Sequence, residues 1–201
     1  SFRCGLDRRL SVCLAAARLG RLDLLKCARA HGCPWDVVVA DEIALRGFAE
    51  MLRWARSVEV DPCPWNAGTC DLAAEGGHMP LVRWMRSKDC PCGPRTSAGI
   101  ARMAGLARQI SPYALLHWAR ATGCPWDEST CNALARRGEL DTLQWARREG
   151  CPWSQQTCAE AARGGHLRVL KWLRATGCLW GPTTCSQVCV VEGAGLSLLP
   201  W

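Results

Sequence analysis

The stretch TCAEAARGGHLRVLKWLRATGC, residues Thr157–Cys178, contains two short apolar patterns separated by Gly164 and Gly165. A glycine pair between two apolar patterns is typical of a turn between helices, and Gly177 provides a second stop signal. Each helix would be about 8 to 10 residues long, and helices this short are marginal in water because few hydrogen bonds offset the cost of nucleation. The stretch therefore predicts a helix–turn–helix unit that needs neighbours to be stable.

The same unit recurs along the chain. The tripeptide Cys-Pro-Trp begins at Cys33, Cys63, Cys124 and Cys151, with degenerate copies at Cys90 and Cys178. Successive cysteines of this series are 30, 27, 34, 27 and 27 residues apart. A second series lies on the second helix of each unit, at Cys27, Trp54, Trp84, Trp118, Trp145 and Trp172. Comparing the series gives a unit of 27 residues, with three extra residues between Trp54 and Cys63 and seven near Leu106 to Pro112.

This repetition predicts an all-α fold, a helical solenoid of stacked helix–turn–helix repeats that buries one continuous core. We expect a single domain over residues 8–185, with units at about 8–33, 34–63, 64–90, 91–124, 125–151 and 152–178. Residues 179–201 keep only the start of a unit, so we interpret them as an incomplete cap or a truncated repeat.

The unit also carries local helix signals. The first helix is expected to open at Gln156 or Thr157, with Glu160 completing a capping box from Thr157. It is expected to end at a left-handed glycine, found at Gly20, Gly47, Gly77, Gly138 and Gly165. The second helix is expected to bury an apolar stripe formed by Leu167, Leu170, Trp172 and Leu173. Because the tryptophans follow the repeat, we interpret them as core residues rather than base-stacking platforms.

The quoted stretch resembles the ankyrin repeat, whose helices read TPLHxAAxxGHxxVVxxLLxxGAxxN. Its paired alanines, Gly-His turn, valine pair and Gly-Ala end align with Ala161-Ala162, Gly165-His166, Val169-Leu170 and Gly177-Cys178. Similar matches run through 69–90 and 130–151, and weaker ones through 13–33 and 40–63. Ankyrin units have about 33 residues, and those missing here belong to the family's projecting hairpin. The resemblance implies an ankyrin-like helical solenoid of stacked repeats, with blunt loops and a concave first-helix side that meets partner proteins.

Composition narrows the classes of function. The 25 basic and 18 acidic residues give a formal charge of +7, which favours acidic partners but is not sharply clustered. Charged residues interrupt every apolar run well before the roughly 18 residues of a membrane span. No secretion signal is visible at Ser1 to Arg9. We therefore expect an intracellular, cytoplasmic protein.

The 15 cysteines are best interpreted as small buried residues. Ten of them occupy two repeating positions, one being the Cys-Pro-Trp series and the other comprising Cys70, Cys131, Cys158 and Cys185. Equivalent residues of stacked repeats lie about 10 Å apart, beyond the roughly 7 Å limit for the Cα atoms of a disulfide. Together with an odd total, this predicts reduced cysteines.

Metal and catalytic chemistry find little support. Cys27, His31 and Cys33 are the best local ligand set, but no fourth ligand is evident. His78 and His166 occupy the Gly-His turn, where a ring more often bonds to a neighbouring loop than acts as a base, and His117 falls at an exposed position of the repeat. The chain has no phosphate-binding Gly-Lys-Ser/Thr loop, no nucleophile elbow and no His-Glu-x-x-His. We expect no enzyme activity, no cofactor and no bound metal.

Two binding hypotheses follow. The first is a monomeric scaffold that binds another protein through residues on the exposed side of the first helices, which differ from unit to unit: Arg18, Asp41, Glu42, Asp71, Glu75, Asn132, Arg136, Glu160 and Arg163. The alternative is binding of nucleic acid or another anionic surface through an arginine ladder, two residues after each second-helix tryptophan or its substitute: Arg29, Arg56, Arg86, Arg120, Arg147 and Arg174.

Overall fold

The computed structural model describes residues 12–103, 111–179 and 181. The helices in these ranges are α1 over residues 12–19 and then α2 (Leu22–Ala30), α3 (Val37–Arg46), α4 (Ala49–Ser57), α5 (Ala67–Glu75), α6 (Met79–Ser87), α7 (Pro94–Met103), α8 (Pro112–Ala121), α9 (Glu128–Arg137), α10 (Leu140–Arg148), α11 (Gln155–Arg163) and α12 (Leu167–Ala175). The described ranges contain no β-strand, which confirms the predicted all-α class.

The chain divides into two compact units, Ser1–Thr96 and Ser97–Trp201, and the division falls inside α7. In the first unit, α3 and α4 form one hairpin, α5 and α6 form the next, and α3 packs against α5. The second unit repeats this arrangement with hairpins α9/α10 and α11/α12, and α9 packs against α11. The predicted helix–turn–helix repeats are therefore stacked within each unit. A single domain over 8–185 stays a prediction.

The core combines small residues on the first helices with larger ones on the second. In α11, Cys158, Ala161 and Ala162 are buried, as the small-residue pattern predicts. In α12, the buried residues are Val169, Leu170 and Leu173. The predicted stripe was wrong at Leu167 and Trp172, which are only half-buried. Leu167 opens the helix beside the turn, and the Trp172 ring packs against the ring of Trp153, which lies in the loop before α11.

The turns follow the predicted glycines. All five glycines expected to be left-handed have φ between 68° and 79°: Gly20, Gly47, Gly77, Gly138 and Gly165. Gly47 and Gly138 are also in close contact with a histidine, because a Cβ at either position would lie 2.3 or 2.5 Å from Nδ1 of His78 or His166. A left-handed conformation without a side chain thus lets the histidine cover the turn of the preceding hairpin.

The helix starts differ from the sequence prediction. The N-cap is the residue that follows the loop tryptophan, at Asp36, Asn66, Asp127 and Ser154, and each side chain accepts a backbone N–H of the first turn. In α11 the capping box joins Ser154 to Thr157. The predicted Thr157–Glu160 box was wrong, because the helix opens earlier and places Thr157 at the third helical position.

Most cysteines of the repeat are buried, as predicted. In four loops the thiol donates to the carbonyl of the N-cap residue of the same hairpin, at Sγ···O distances of 3.6, 3.6, 3.4 and 3.4 Å for Cys63, Cys90, Cys151 and Cys178. The prediction of reduced cysteines was wrong at Cys92 and Cys124, which are disulfide-bonded. Cys92 replaces the tryptophan of its loop, so it lies outside both cysteine columns and the spacing argument did not apply to it.

Several sequence predictions fall outside the described residues, including Trp180, Cys185 and most of the terminal stretch 179–201. The seven-residue insertion also lies largely in the undescribed range 104–110. The three-residue insertion is in the exposed loop after α4, where Val60 is 96% exposed. No helix in the described ranges is both long enough and apolar enough to cross a bilayer.

Candidate functional site

Five of the second helices carry an arginine whose side chain reaches the loop that follows the helix. Five guanidinium groups donate from Nη1 to the carbonyl of the first loop cysteine, at 2.6, 2.8, 2.5, 3.3 and 2.5 Å for Arg29–Cys33, Arg56–Cys63, Arg86–Cys90, Arg120–Cys124 and Arg147–Cys151. The sixth, Arg174, occupies the same position on α12 and is exposed. The predicted arginine ladder is therefore first of all a set of loop clamps.

Four of these guanidinium groups also stack on the tryptophan of the same loop. The guanidinium carbon lies 4.2, 4.2, 4.4 and 4.0 Å from the ring centroid in the pairs Arg29–Trp35, Arg56–Trp65, Arg120–Trp126 and Arg147–Trp153. Such cation–π contacts contribute about 0.5–2 kcal/mol, depending on exposure. Because the arginine bonds the loop backbone and stacks on the loop side chain, it holds both in one conformation.

Within the described ranges, the four loop tryptophans also pack against the second-helix tryptophan of the next hairpin. The ring centroids are 5.8, 5.7, 5.5 and 5.6 Å apart in the edge-on pairs Trp35–Trp54, Trp65–Trp84, Trp126–Trp145 and Trp153–Trp172. Trp35 is buried, whereas the other seven rings are only half-buried. The tryptophan rows thus pack neighbouring hairpins together at the edge of the core, and every ring except that of Trp35 keeps an accessible part.

These contacts create a groove in the first unit. The groove has a volume of about 340 Å³ and lies between α4 and α6, lined by Arg53, Arg56, Ser57, Trp65, Trp84 and Lys88. Arg53 reaches across it, with its guanidinium carbon 5.7 Å from the Trp84 centroid. Within the described ranges, no carboxylate lies at ion-pair distance from Arg53 or Lys88. The groove therefore combines half-buried indole rings with cations that no acidic side chain neutralises.

A second groove occupies the equivalent place between α10 and α12 in the second unit. It has a volume of about 460 Å³ and is lined by Gln144, Arg147, Arg148, Trp153, Trp172 and Thr176. Each lining residue stands at the same position of the repeat as its counterpart in the first groove. The sequence predicted the arginine row but missed the groove, because its walls come from two hairpins and one loop.

The first-helix residues predicted to bind a partner protein largely contact one another. Arg18 lies 3.6 Å from Glu42 of the next hairpin, and Arg136 lies 3.4 Å from Glu160 of the next hairpin. The same glutamates also pair with Arg46 and Arg163 on their own helices, both at 2.7 Å. The remaining predicted glutamate, Glu75, pairs with Arg95 at 2.9 Å. The arginines at these positions are exposed, but their ion pairs with the glutamates set the orientation of their side chains.

The other predicted first-helix residues join neighbouring hairpins through threonine. Thr69, Thr96 and Thr157 donate their hydroxyl protons to Asp41, Asp71 and Asn132 of the preceding hairpin, at Oγ1···O distances of 2.6, 2.5 and 2.6 Å. The expectation that Asp71 and Glu160 lie on the exposed side was wrong, since they are only 7% and 8% exposed. A polar residue followed 25 or 28 residues later by threonine was the sequence signal for this contact.

The histidines take structural positions. Nε2–H of His78 donates to the Leu45 carbonyl and Nε2–H of His166 to the Arg136 carbonyl, both at 3.0 Å, as predicted for the Gly-His turn. His31 Nδ1 lies 2.8 Å from the carbonyl oxygen of Cys27 at the end of α2. Within the described ranges, no three His, Cys, Asp or Glu side chains are grouped as metal ligands.

Comparisons with known proteins leave the family open. No family model matches the chain, and no curated protein matches it. Among solved structures, it is similar to the pentatricopeptide repeat protein PPR10 in complex with an 18-nt psaJ RNA element, with a TM-score of 0.44 and 12% sequence identity over 96% of this chain and 39% of that one. A cysteine-substituted form of PPR10 with the same RNA element gives the same values. The chain thus spans about two fifths of these proteins. The fold and the grooves define it as a helical repeat protein.

Proposed function

We propose that the chain is a non-enzymatic scaffold that binds single-stranded nucleic acid along its second helices. The observation that carries this proposal is the recurrence of one groove in both units, with two indole rings and the clamp arginine at the same repeat positions. The further cations are Arg53 and Lys88 in the first groove and Arg148 in the second. Single-stranded nucleic acid carries one phosphate charge and one aromatic base in every nucleotide. Its phosphates would meet Arg53 and Lys88, while its bases would contact the accessible parts of the rings.

The size of the grooves favours a flexible chain over a folded acidic surface. A volume of about 340 to 460 Å³ admits a single nucleotide-sized group and not a protein domain. Binding of this kind releases counterions, so the logarithm of the affinity falls with that of the salt concentration, with a slope of about −0.7 for each phosphate contact of a single strand. Salt dependence is therefore a direct measure of these contacts.

The test is fluorescence anisotropy with a labelled single-stranded oligonucleotide from low to moderate salt. We expect the double variant Arg53→Gln/Lys88→Gln to bind at least tenfold more weakly and with a shallower salt slope. The matched control, Arg18→Gln/Arg46→Gln, removes the same charge from the first-helix side and should keep the slope of the native chain. Equal losses in both variants, or no binding by the native chain at low salt, would contradict the proposal.

A second candidate is binding of a partner protein to the first-helix side. It is supported by Arg18 and Arg136, which are 58% and 59% exposed but held by glutamates of the next hairpin. Side chains oriented before binding lose less conformational entropy on association. A partner recovered by the native chain should be lost with Arg136→Glu/Arg163→Glu and retained by the groove variant. The reverse result would move that partner to the second helices.

We also infer that the hairpins are shortened ankyrin-like units that act as a monomer inside the cell. The histidine at the Gly-His turn and the threonine near the start of the first helix support the resemblance, because both make inter-hairpin contacts at the aligned positions. Sedimentation of the chain at several concentrations would test the monomer. Constant mass supports it, and mass that rises with concentration contradicts it.

A further inference from the structure

Cysteines of the first helix and of the loop after the second helix are paired within four of the hairpins. The Sγ atoms of Cys158, on α11, and Cys178, in the loop after α12, are 2.8 Å apart, and both residues are buried. The same separation of 20 residues recurs in three more pairs: Cys13–Cys33, Cys70–Cys90 and Cys131–Cys151. The sequence spacing predicts the distance between equivalent cysteines of successive repeats. It does not predict the contact between the two cysteines of one repeat.

Contacts in the other pairs agree with this placement. The Sγ of Cys13 lies 3.9 Å from the carbonyl oxygen of Cys33, and Cys131 has the same relation to Cys151, also at 3.9 Å. Interaction with the partner thiol, together with burial, raises the pKa of Cys90 beside Cys70 and the pKa of Cys131 beside Cys151. The pairing is thus a property of the repeat position. Where the first-helix position holds Ala40 or Ser97, the hairpin has no such pair.

We propose that these four pairs are dithiol sites, each able to form a disulfide within its hairpin by exchange with a small-molecule disulfide. An S–S bond is about 2.05 Å long, so at Cys158 and Cys178 the sulfurs need to approach by less than about 1 Å. One thiolate attacks the small disulfide and releases one small thiol. The second cysteine then displaces the other small thiol, so the pair loses two protons and two electrons to the oxidant.

Burial sets the order of reaction. Burial raises the pKa of the Cys13 and Cys158 thiols, which lowers the fraction of reactive thiolate. Cys33 is partly exposed, whereas both members of the Cys70–Cys90 and Cys131–Cys151 pairs are fully buried. An oxidant can therefore reach the Cys13–Cys33 pair without opening the stack. These two pairs and the buried Cys158–Cys178 pair react only when their hairpin opens locally.

A disulfide at such a site would tie the first helix to the loop that ends the same hairpin. The link closes a loop within one repeat, so it reduces the conformational freedom of the unfolded hairpin and leaves the folded contacts between hairpins in place. Oxidation is therefore expected to raise the thermal midpoint of the chain. The absence of a pair at Ala40 and Cys63 provides an internal comparison.

The experiment uses the full chain, first reduced and then incubated with glutathione disulfide, with linked peptides mapped by mass spectrometry over time. We expect Cys13–Cys33 to link first and the buried pairs later, while exposed Cys27 forms only a mixed disulfide. Two outcomes overturn the proposal: links that join the eight cysteines of these pairs across successive repeats, or four pairs that stay reduced when Cys27 has already reacted.

Two variants make the result independent of any single site. Cys178→Ser should lose the link to Cys158 and keep the other three. Ala40→Cys should gain a fifth link, to Cys63, because it completes the pair in the hairpin that lacks one. A folded Ala40→Cys chain, verified by circular dichroism, in which Cys63 stays unlinked while Cys13 and Cys33 are joined contradicts the assignment to repeat position.

Discussion

The guanidinium carbon of Arg147 lies 4.0 Å from the centroid of the Trp153 ring, and Nη1 of the same side chain donates to the Cys151 carbonyl at 2.5 Å. Trp153 in turn meets the edge of Trp172 on the next hairpin, 5.6 Å between centroids. One side chain on α10 therefore fixes the loop, and the loop fixes the contact with α12.

Replacing this clamp should destabilise the fold. Arg147→Leu keeps much of the aliphatic stem but removes the charge-assisted hydrogen bond and the cation–π contact. We expect the free energy of unfolding to fall by about 1–3 kcal/mol. Urea denaturation monitored by tryptophan fluorescence measures this loss. The neighbouring Arg148→Leu removes an exposed arginine outside the clamp and should change stability by no more than about 0.5 kcal/mol. Similar losses in the two variants would mean that the clamp adds no stability.

Two threonines at the same repeat position should respond in opposite directions. Thr157 Oγ1 bonds Asn132, but the buried Thr130 Oγ1 has no hydrogen-bond partner within the described residues, because Ala98 stands where the others have Asp or Asn. A buried hydroxyl without a partner costs about 1–3 kcal/mol. Thr130→Val should therefore keep or raise the free energy of unfolding.

The matched variant Thr157→Val should lower it by about 1–2 kcal/mol, because it breaks the contact with Asn132 and the capping box with Ser154. Chemical denaturation of both variants measures the difference. A greater loss at Thr130 than at Thr157 would contradict the assignment of these contacts.

The two left-handed glycines of neighbouring turns should differ in their tolerance of a side chain. Gly138 and Gly165 have φ of 77° and 72°, so alanine costs about 1–2 kcal/mol of backbone strain at either position. A Cβ at Gly138 would also lie 2.5 Å from Nδ1 of His166, whereas nothing lies within 4 Å at Gly165. Gly138→Ala is expected to displace His166 from the Arg136 carbonyl.

Thermal unfolding should therefore show a clearly larger drop for Gly138→Ala than for Gly165→Ala, by at least about 1 kcal/mol. Equal drops would mean that the histidine contact contributes nothing beyond the turn itself.

Asp41 should make stability depend on pH in the direction opposite to an ordinary ion pair. Burial raises the pKa of the Asp41 carboxyl, although the Thr69 hydroxyl partly offsets this. The pKa of Asp41 is higher in the folded chain than in the unfolded chain. Its contribution to the free energy of unfolding is therefore full below the unfolded pKa and is lost as the pH rises through the folded pKa. Asp41→Asn should thus be more stable than the native chain at pH 7, and the gap should narrow as the pH falls toward about 4.

Asp23 is the control for that titration. Its hydrogen bond to Arg21 lowers the pKa of Asp23 to about 2, so its contribution is present at neutral pH and disappears as the pH falls toward that value. Asp23→Asn should therefore show no gain at pH 7. Unfolding curves at several pH values compare the two variants, and a gain for Asp41→Asn that grows at low pH contradicts the prediction.

The candidate site was only partly predictable from the sequence. The arginine row was visible because Arg29, Arg56 and their equivalents recur at one position. The main contacts of these arginines were not visible in the sequence, since Trp65 and Cys63 lie in the loop after the helix. Periodicity does not specify the direction in which a long side chain extends. The sequence located a row of polar residues on the first helices. It did not show that Asp71 and Glu160 are buried in contacts between hairpins, because an exposed row and a buried row have the same spacing along the sequence.

The sequence by itself determined the period, the helical class, the turn glycines and the small-residue faces. These signals are local, and they recur in each repeat. The register between hairpins was decided only by the tertiary structure. It brings Cys158 to Cys178, Thr157 to Asn132 and Trp153 to Trp172. Such pairs join residues about 20 or more positions apart whose encounter depends on how closely two helices pack, and helix packing is set by the whole interface rather than by any local stretch.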